Sequence, residues 1–247
     1  MILFAFHCFW VTLLPMNSAA AETIARKNKE SYDDIAKEFS TSRARFWDEL
    51  AFLGEHATPE MRVLDIGCGN GRFYDVLKER EVIYTGVDSS VGLLEEARAR
   101  HEGVEFVEGD ATALPFKDKS FDIAYAFAVI HHIPSRTLRR QFVREAARVL
   151  HSGNTFIITA WDLWRPRYLS MLLFSALRSM LWLTPLDVGD MMHTFGKEKR
   201  SRYLHAFTER GLRRLLNKNG FEVVGSEKTS RKSGSGERNI LIVARKR

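Results

Sequence analysis

The sequence contains little cysteine: Cys8 and Cys68 are the only two in 247 residues. Two cysteines provide neither a disulfide framework nor the paired spacing of a zinc site. Internal repeats and low-complexity segments are also absent, and 45% hydrophobic with 28% charged residues is typical of a soluble globular chain. We therefore expect one domain with a sizeable core in a reducing compartment, the cytoplasm.

A hydrophobic run long enough to span a membrane is missing as well. Residues 2–14 are almost wholly apolar but too short to cross a bilayer as a helix. No Lys or Arg precedes Arg26, so the positive segment of a secretory signal is lacking, although residues 18–21 could pass for a cleavage site. We favour translation from Met16. Residues 1–27 are then expected to be a disordered or mis-assigned extension, and residues 28–247 a single domain.

A glycine-rich loop follows a short apolar run at residues 63–71, whose sequence is VLDIGCGNG. The apolar run predicts a buried strand, and the glycines allow the backbone to turn sharply and approach a ligand. A helix over residues 72–80 would direct its first N–H groups to the same ligand. The third glycine of the dinucleotide fingerprint is missing, since Arg72 and Phe73 stand there, and this argues against a nicotinamide cofactor.

Acidic residues accompany three successive predicted strands. Asp65 closes the first strand, Asp88 closes the second, and Asp110 comes shortly after the third. The carboxyl ends of parallel strands lie at one sheet edge, where open α/β sheets bind ligands, and an acid in the position of Asp88 can accept both ribose hydroxyls. Any one of these acids could be an ordinary turn residue. The ordered set together with the glycines predicts an adenosine-bearing ligand.

This ordered set resembles the class I S-adenosylmethionine-dependent methyltransferases over residues 61–160. The resemblance implies a Rossmann-like α/β fold with a mostly parallel seven-stranded sheet and helices on both faces. It also implies S-adenosylmethionine as cofactor, with the loop beside the methionine part, Asp88 on the ribose, and Asp110 with Ala111 at the adenine. The cofactor-binding residues implied are Asp65, Gly67, Gly69, Gly71, Asp88, Ser89, Asp110, Ala111 and Phe127.

The rest of the chain fits the same fold around one long insert. Helices are predicted over residues 32–39, 45–52, 91–100 with Ser89 as its cap, 135–150 and 208–219, a fifth strand over 155–160, and a closing strand pair at 221–225 and 239–244. The insert, residues 161–207, is long enough to predict a lid beside the binding edge. Its apolar part, residues 169–183, predicts a cap helix packed on the core or, alternatively, a membrane-contacting helix.

Positive charge is concentrated in the carboxyl-terminal third. Residues 1–160 carry 19 Lys and Arg against 23 Asp and Glu, whereas residues 161–247 carry 18 against 8. Such a one-sided basic region indicates a polyanionic partner. Interleaved aromatic residues, among them Trp161, Trp164 and Tyr203, favour nucleic acid over an anionic membrane surface. The basic clusters are Arg165/Arg167, Lys197/Lys199/Arg200/Arg202, Arg210/Arg213/Arg214, Arg231/Lys232 and Arg245/Lys246/Arg247.

Two segments outside the glycine loop resemble the eukaryotic tRNA wobble-uridine methyltransferases, which esterify a carboxymethyl group on an anticodon uridine. One is YxxIAxxFxxSRxxxW over residues 32–47, and the other combines AVIHH at 128–132 with RYxHxF at 202–207. The resemblance implies a tRNA substrate and a small zinc-binding partner protein. This sequence departs from the family pattern at Ser42, Asp48 and Ile133, where the family has Thr, Pro and often an aromatic residue.

Methyl transfer from a sulfonium is an in-line displacement, so catalysis rests mainly on positioning and desolvation. A carboxylate acceptor is already ionised near pH 7 and needs orienting cations and donors, not a strong base. The candidates for substrate positioning are Arg43, His132, Arg202, His205 and Tyr32. A phenol or amine acceptor would need a base, for which His132 is the best candidate. A small-molecule or lipid (quinone-type) methyltransferase and a non-catalytic S-adenosylmethionine-binding adaptor are the alternatives.

Overall fold

A computed structural model describes residues 16–181, 183–195, 200–230 and 238–247, so the apolar residues 2–14 lie outside the described part. Helices α1 (Ser18–Asp34) and α2 (Ala36–Ser42) come first, followed by a 3₁₀ helix (Asp48–His56). The prediction of a single helix over residues 32–39 is therefore wrong, because α1 ends and α2 begins at Ile35. Disorder over residues 18–27 is also wrong: they belong to α1, which Asn17 caps by accepting the N–H of Ala20.

Nine strands follow in the described chain. They are β1 (Arg62–Ile66), β2 (Ile83–Asp88), β3 (Glu105–Glu108), β4 (Phe121–Phe127), β5 (Leu150–Trp161), β6 (Asp190–Phe195), β7 (Arg200–His205), β8 (Phe221–Ser230) and β9 (Arg238–Lys246). Seven of them form one sheet in the order β3-β2-β1-β4-β5-β9-β8. β9 runs antiparallel to β5 and β8, and the other strand pairs of that sheet are parallel. The predicted mostly parallel, Rossmann-like sheet is confirmed.

The remaining helices are α3 (Tyr74–Leu77), a 3₁₀ turn (Ile130–His132), and α4 (Val91–Arg100), α5 (Arg136–Val149), α6 (Pro166–Met180) and α7 (Glu209–Asn217). The helix predicted over residues 72–80 is reduced to α3, since bonds of the tighter i→i+3 type close both of its ends. Ser90, not Ser89, caps α4, because its Oγ accepts the N–H of Leu93 at 3.2 Å. Thr208 caps α7 as predicted.

The helices cover both faces of the sheet, as the alternation of strand side chains requires. In β1, Leu64 and Ile66 pack into the core shared with α5 and α7, while Val63 belongs to the opposite core with α4 and the first 3₁₀ helix. In β5, Phe156 packs into the first of these cores and Ile157 into the second. The sheet is therefore buried on both sides, and its carboxyl edge is left for a site.

The insert of residues 161–207 forms a small layer of its own. Strands β6 and β7 pair antiparallel, and α6 packs on them through Tyr168 and Leu172. The expectation that this helix packs on the main core is wrong in detail, since its buried contacts are with Leu163, Met191 and Leu204 of the insert. Among the described residues, no helix has the length and apolar character to cross a membrane.

Candidate active site

A cavity of about 570 Å³ opens at the carboxyl ends of the central strands. Asp65 and Asp88 reach it from β1 and β2, Asp110 from the loop after β3, and Trp161 from the end of β5. Residues of α1, including Tyr32, form the facing wall. The acids predicted to share one sheet edge thus do so, and a second group of side chains closes the cavity from the amino-terminal helix and the insert.

The glycine loop has the left-handed backbone that glycine permits. Gly67, Gly69 and Gly71 have φ of 72°, 57° and 70°. A Cβ on Gly67 would lie 2.4 Å from Cγ2 of Val129, so this position excludes a side chain on steric grounds as well. Gly67 and Gly69 line the cavity. Gly71 is not among the lining residues, and a Cβ there would lie 2.8 Å from Cζ of Phe106.

The buried carboxyl of Asp65 and the half-buried carboxyl of Asp88 lie in one part of the cavity, which we call the donor end. Asp88 Oδ2 accepts the N–H of Gly69 at 2.9 Å, and its Oδ1 accepts the N–H of Ser90 at 2.8 Å. Asp65 Oδ2 accepts from the Tyr84 hydroxyl at 2.8 Å. Burial raises the pKa of Asp65 from 3.8 to about 7, and burial also raises the pKa of Asp88. Two carboxyls side by side in a cavity favour a ligand that brings positive charge and hydroxyl donors.

The other residues implied for the donor end, Ser89, Asp110, Ala111 and Phe127, all line the cavity. Asp110 Oδ1 accepts from the backbone N–H and the hydroxyl of Thr112, at 2.7 and 2.8 Å, which fixes the loop after β3. Sequence reasoning missed Asn70 and Leu93, which also line this end. Asn70 Oδ1 is buried without a hydrogen-bond partner among the described residues, and it adds an acceptor to the loop.

Cationic and aromatic side chains converge in the part of the cavity around Arg202, which we call the acceptor end. Arg202 is 5% exposed, and its guanidinium lies 4.6 Å from the ring centre of Trp161. Its Nη1 donates to the Tyr32 hydroxyl at 3.4 Å, and that hydroxyl lies 3.1 Å from Nε2 of His132. Arg43 lines the same cavity. Four of the five predicted positioning residues are therefore brought together, although they come from segments far apart in the sequence.

The imidazole of His132 is neutral and has one defined tautomer. Nδ1 lies 3.3 Å from the carbonyl oxygen of Tyr203, which can only accept, so the proton is on Nδ1 and Nε2 accepts from Tyr32. Burial, then the charge of Arg202, lowers the pKa of His132 to about 3. The neighbouring His131 satisfies backbone, as expected for one of the pair: its Nδ1 accepts the N–H of Trp161 at 3.4 Å.

His205 is the predicted positioning residue that the structure places elsewhere. It is not among the residues that line the cavity, and its Nδ1 lies 2.6 Å from Oδ1 of the fully buried Asp190. The Tyr203 hydroxyl donates to the same oxygen and is buried, so Tyr203 is unavailable for stacking on a base. With Arg139, which donates to the Tyr203 hydroxyl at 2.8 Å, these groups join the insert to α5. A strand period of two predicts this inward direction for residues 203 and 205.

Sequence reasoning also missed the contribution of α1. Asn28 is buried and bridges two elements: its Nδ2 donates to the His132 carbonyl at 3.0 Å, and its Oδ1 accepts the N–H of Tyr203 at 2.9 Å. Residues 22, 25 and 26 of α1 also line the cavity, although they fall in the segment expected to lie outside the domain. The sequence did hold one signal for this helix: Asn28 and Tyr32 are four residues apart, a spacing that places two side chains on one helical face.

Three of the described basic residues in the carboxyl-terminal third lie in different places. Arg245 pairs with Thr155 in the β5–β9 ladder, six residues from Trp161 at the cavity, which is roughly 20 Å along a strand. Arg202 is in the cavity, and Arg200 is ion-paired with Asp34 on α1. Lys197, Lys199, Arg231 and Lys232 lie outside the described residues. Arg200, Arg202 and Arg245 therefore do not share a single patch.

Comparison with known proteins agrees with the fold and the cavity. Residues 64–158 match a family described as "methyltransferase domain". The chain is 34% identical over 206 residues to an Encephalitozoon cuniculi protein whose name says methyltransferase and gives no substrate, covering 81% of this chain and 90% of that protein. It is 32% identical over 145 residues to the tRNA (carboxymethyluridine(34)-5-O)-methyltransferase of Saccharomyces cerevisiae, covering 58% of this chain and 51% of that protein. The chain thus spans about half of the latter relative.

Solved structures share the fold at low identity. One is the 1,6-didemethyltoxoflavin-N1-methyltransferase of Burkholderia thailandensis with bound S-adenosylhomocysteine, at a TM-score of 0.65 and 21% identity, covering 94% of this chain and 93% of that one. Another is the methyltransferase in complex with the Haloferax volcanii Trm112 methyltransferase activator, at 0.61 and 15%, covering 90% and 97%.

Proposed function

Because this chain belongs to the S-adenosylmethionine-dependent methyltransferases and uses S-adenosylmethionine as its cofactor, we propose that it methylates a carboxymethyl-type modified uridine in the tRNA anticodon. The observation that carries the proposal is the acceptor end of the cavity. Arg43, Arg202 and the Tyr32 hydroxyl lie there, beside the ring of Trp161. Two cations and a hydroxyl donor suit a carboxylate, and an aromatic ring suits a base.

The donor end is assigned by the chemistry of its groups. We assign Asp88 to the ribose hydroxyls, Asp110 with Ala111 to the adenine, and Asp65 with Gly67 and Gly69 to the methionine part. Both Asp88 oxygens already accept one backbone N–H each, and a carboxylate has further lone pairs for hydroxyl donors. Phe127, Leu93 and Ser89 complete the wall. S-adenosylmethionine, when bound, supplies an electrophilic methyl group.

The side chains at the acceptor end orient a group that is already nucleophilic. A carboxylate is ionised at neutral pH, so a general base is unnecessary. Arg202 is held between Trp161 and the Tyr32 hydroxyl, and this fixes its guanidinium for a hydrogen bond to one carboxylate oxygen. His132 stays neutral and holds Tyr32 in place. Positioning of the two reactants is then the main source of rate acceleration.

A tRNA anticodon presents unpaired bases that can be splayed into a cavity and stacked on an aromatic residue. Trp161 is the aromatic residue at the acceptor end that fits this role, in place of Tyr203. The insert of residues 161–207 would act as the lid over the bound nucleotide. Phosphate contacts would make binding fall steeply with salt, and removal of the Lys197/Lys199/Arg200/Arg202 cluster should flatten that dependence.

A small activating protein is proposed as a partner. The structural neighbour from the Haloferax volcanii complex is bound to the Trm112 methyltransferase activator, which supports the proposal for this chain. The test is to measure methyl transfer by the purified chain alone and after addition of a Trm112-type protein. Co-elution of the two proteins on gel filtration together with a gain in activity is expected, whereas separate elution and unchanged activity would exclude this partner.

The substrate is tested by methyl transfer in vitro. Purified chain, labelled S-adenosylmethionine and tRNA containing carboxymethyluridine should give the methyl ester, detected by mass spectrometry of nucleosides. Arg202→Gln should lower turnover with little change in donor affinity. Arg140→Gln is the control, because Arg140 is exposed on α5, outside the cavity lining and outside the basic clusters of the carboxyl-terminal third.

Three results would contradict the proposed substrate: no binding of tRNA at low salt, equal losses in both variants, or labelling of a lipid or quinone fraction while tRNA stays unlabelled. The last result would favour the small-molecule alternative. Phe39, Phe46 and Trp47 line the cavity and would then contact an apolar ring of the acceptor. Donor binding without any transfer would favour the adaptor.

A further inference from the structure

Helix α6 has its more apolar side turned outward. Leu169, Leu173, Leu177 and Leu181 recur at a spacing of four, and with Phe174 they form a continuous face, which we call the α6 outer face. These five side chains are between 44% and 63% exposed. The inward row contains Tyr168 and Leu172 but also Ser175 and Ser179, both buried. An ordinary surface helix has the reverse arrangement, with its leucines on the core.

The charge around this face has one sign. Residues 163–186 contain three arginines and no acidic residue. Arg167 and Arg178 are exposed, and the Arg178 guanidinium lies 5.7 Å from the ring centre of Phe174 on the outer face. Apolar side chains flanked by arginines are the composition of helices that lie in the interface of anionic membranes, with the apolar side in the acyl boundary and the cations at the headgroups.

A second apolar segment joins the chain beside this helix. Residues 1–15 carry no charged side chain of Lys, Arg, Asp or Glu. Met16, to which they connect, is buried against Leu186, and its N–H donates to Asp187 Oδ1 at 3.2 Å. Leu183, 61% exposed, lies just before that loop. Exposed apolar side chains thus continue in the sequence from Leu181 to Leu183, just before the loop that holds Met16.

We propose that the α6 outer face docks on an anionic lipid bilayer and makes this methyltransferase a peripheral membrane protein. The arginines of the helix select this occupant over a neutral membrane. The proposal concerns a surface of the insert and is independent of which acceptor is methylated. It requires no membrane-spanning segment.

The test is co-sedimentation of the full chain with vesicles. We expect it to pellet with vesicles of phosphatidylcholine and phosphatidylserine and to bind pure phosphatidylcholine more weakly. Leu173→Ser with Phe174→Ser should lower the affinity for the mixed vesicles at least tenfold, on the order of what two lost apolar side chains predict. Arg167→Gln should lower it about fivefold, since one arginine near an anionic surface contributes about 1 kcal/mol.

The matched control replaces two side chains of similar exposure on the main sheet, Ile83→Ser with Val224→Ser, 59% and 54% exposed. This variant should bind vesicles as the parent chain does, and both variants should keep donor binding and the same circular dichroism. Equal binding by all of them would overturn the proposal, as would no vesicle binding by the parent chain.

Two further results identify another occupant and also overturn it. A dimer in light scattering that Leu173→Ser with Phe174→Ser dissociates, without vesicle binding, would make the α6 outer face a self-association surface. Vesicle binding that appears only after removal of residues 1–15 would show that this segment, and not a bilayer, covers the face in the intact chain.

Discussion

The tightest steric constraint in the glycine loop gives a prediction whose size can be derived from the structure. Gly67 has φ of 72°, and a Cβ there would lie 2.4 Å from Cγ2 of Val129. Gly67→Ala therefore has two costs: about 1–2 kcal/mol for a left-handed alanine and about 1–3 kcal/mol for overpacking against a valine. We expect the free energy of unfolding to fall by roughly 2–5 kcal/mol and donor binding to weaken with it.

Gly153→Ala separates the two costs. Gly153 has φ of 85°, and a Cβ there would meet no atom within 4 Å, so only the backbone cost applies. Urea denaturation should give a loss of about 1–2 kcal/mol for this control. The excess loss in Gly67→Ala is then the contact with Val129, and adding Val129→Ala to Gly67→Ala should recover most of it.

The double-mutant cycle of Gly67→Ala and Val129→Ala measures the coupling free energy between the two positions in unfolding. Calorimetry with S-adenosylmethionine measures the effect of the same variants on cofactor binding. We expect a coupling of about 1–3 kcal/mol. Equal destabilisation by Gly67→Ala and Gly153→Ala, or additive losses in the double variant, would refute the steric reasoning. The loop would then be shown to shift away from Val129 at little cost.

Three further predictions follow from buried polar groups. The pKa of Asp65 is about 7 in the native protein, against a usual value of 3.8, so between these pH values the native carboxyl keeps a proton that the unfolded chain releases. The contribution of Asp65 to stability therefore falls as pH rises from about 4 to about 7, and Asp65→Asn should flatten this fall in denaturation measured across that pH range. Asn28→Ala loses two buried backbone hydrogen bonds and should cost about 1–3 kcal/mol per unsatisfied group, while the exposed Lys27→Ala should cost almost nothing; thermal unfolding would check both. Arg139→Met leaves two buried carboxylates without their cation and should cost about 3–5 kcal/mol by urea denaturation, against little change for its exposed neighbour in Arg140→Met.

The arrangement of residues at the donor end of the candidate site was predictable because its signals are local. A strand, a glycine turn and an acid at the strand end are read within nine residues, and the sheet order then brings Asp65, Asp88 and Asp110 to one edge by topology alone. The local sequence did not indicate which of the glycines lines the cavity. Gly67 and Gly71 share the same backbone region, but only long-range packing against Val129 and Phe106 distinguishes their surroundings.

The acceptor half depends on contacts between distant segments. Arg202 and His205 come from one short motif, and both are polar groups that could orient a carboxylate. The strand places them on opposite faces, so Arg202 enters the cavity while His205 turns to Asp190, a partner that no sequence pattern indicated. The amino-terminal boundary was misjudged for a similar reason, since α1 is stabilised by docking against β7 and α4 and not by a strong apolar periodicity of its own.

Helix α1 links the two ends of the cavity through its own spacing of four. Asn28 and Tyr32 lie on the side that holds the His132 carbonyl and the Arg202 guanidinium. Asp33 lies one residue further on, toward the donor end, where its Oδ1 accepts from the Ser90 hydroxyl at 2.7 Å and the Gly92 N–H at 3.1 Å, next to Asp88. Both sets of contacts depend on one rigid element, so a displacement of α1 that admits a ligand at one end must also loosen the other.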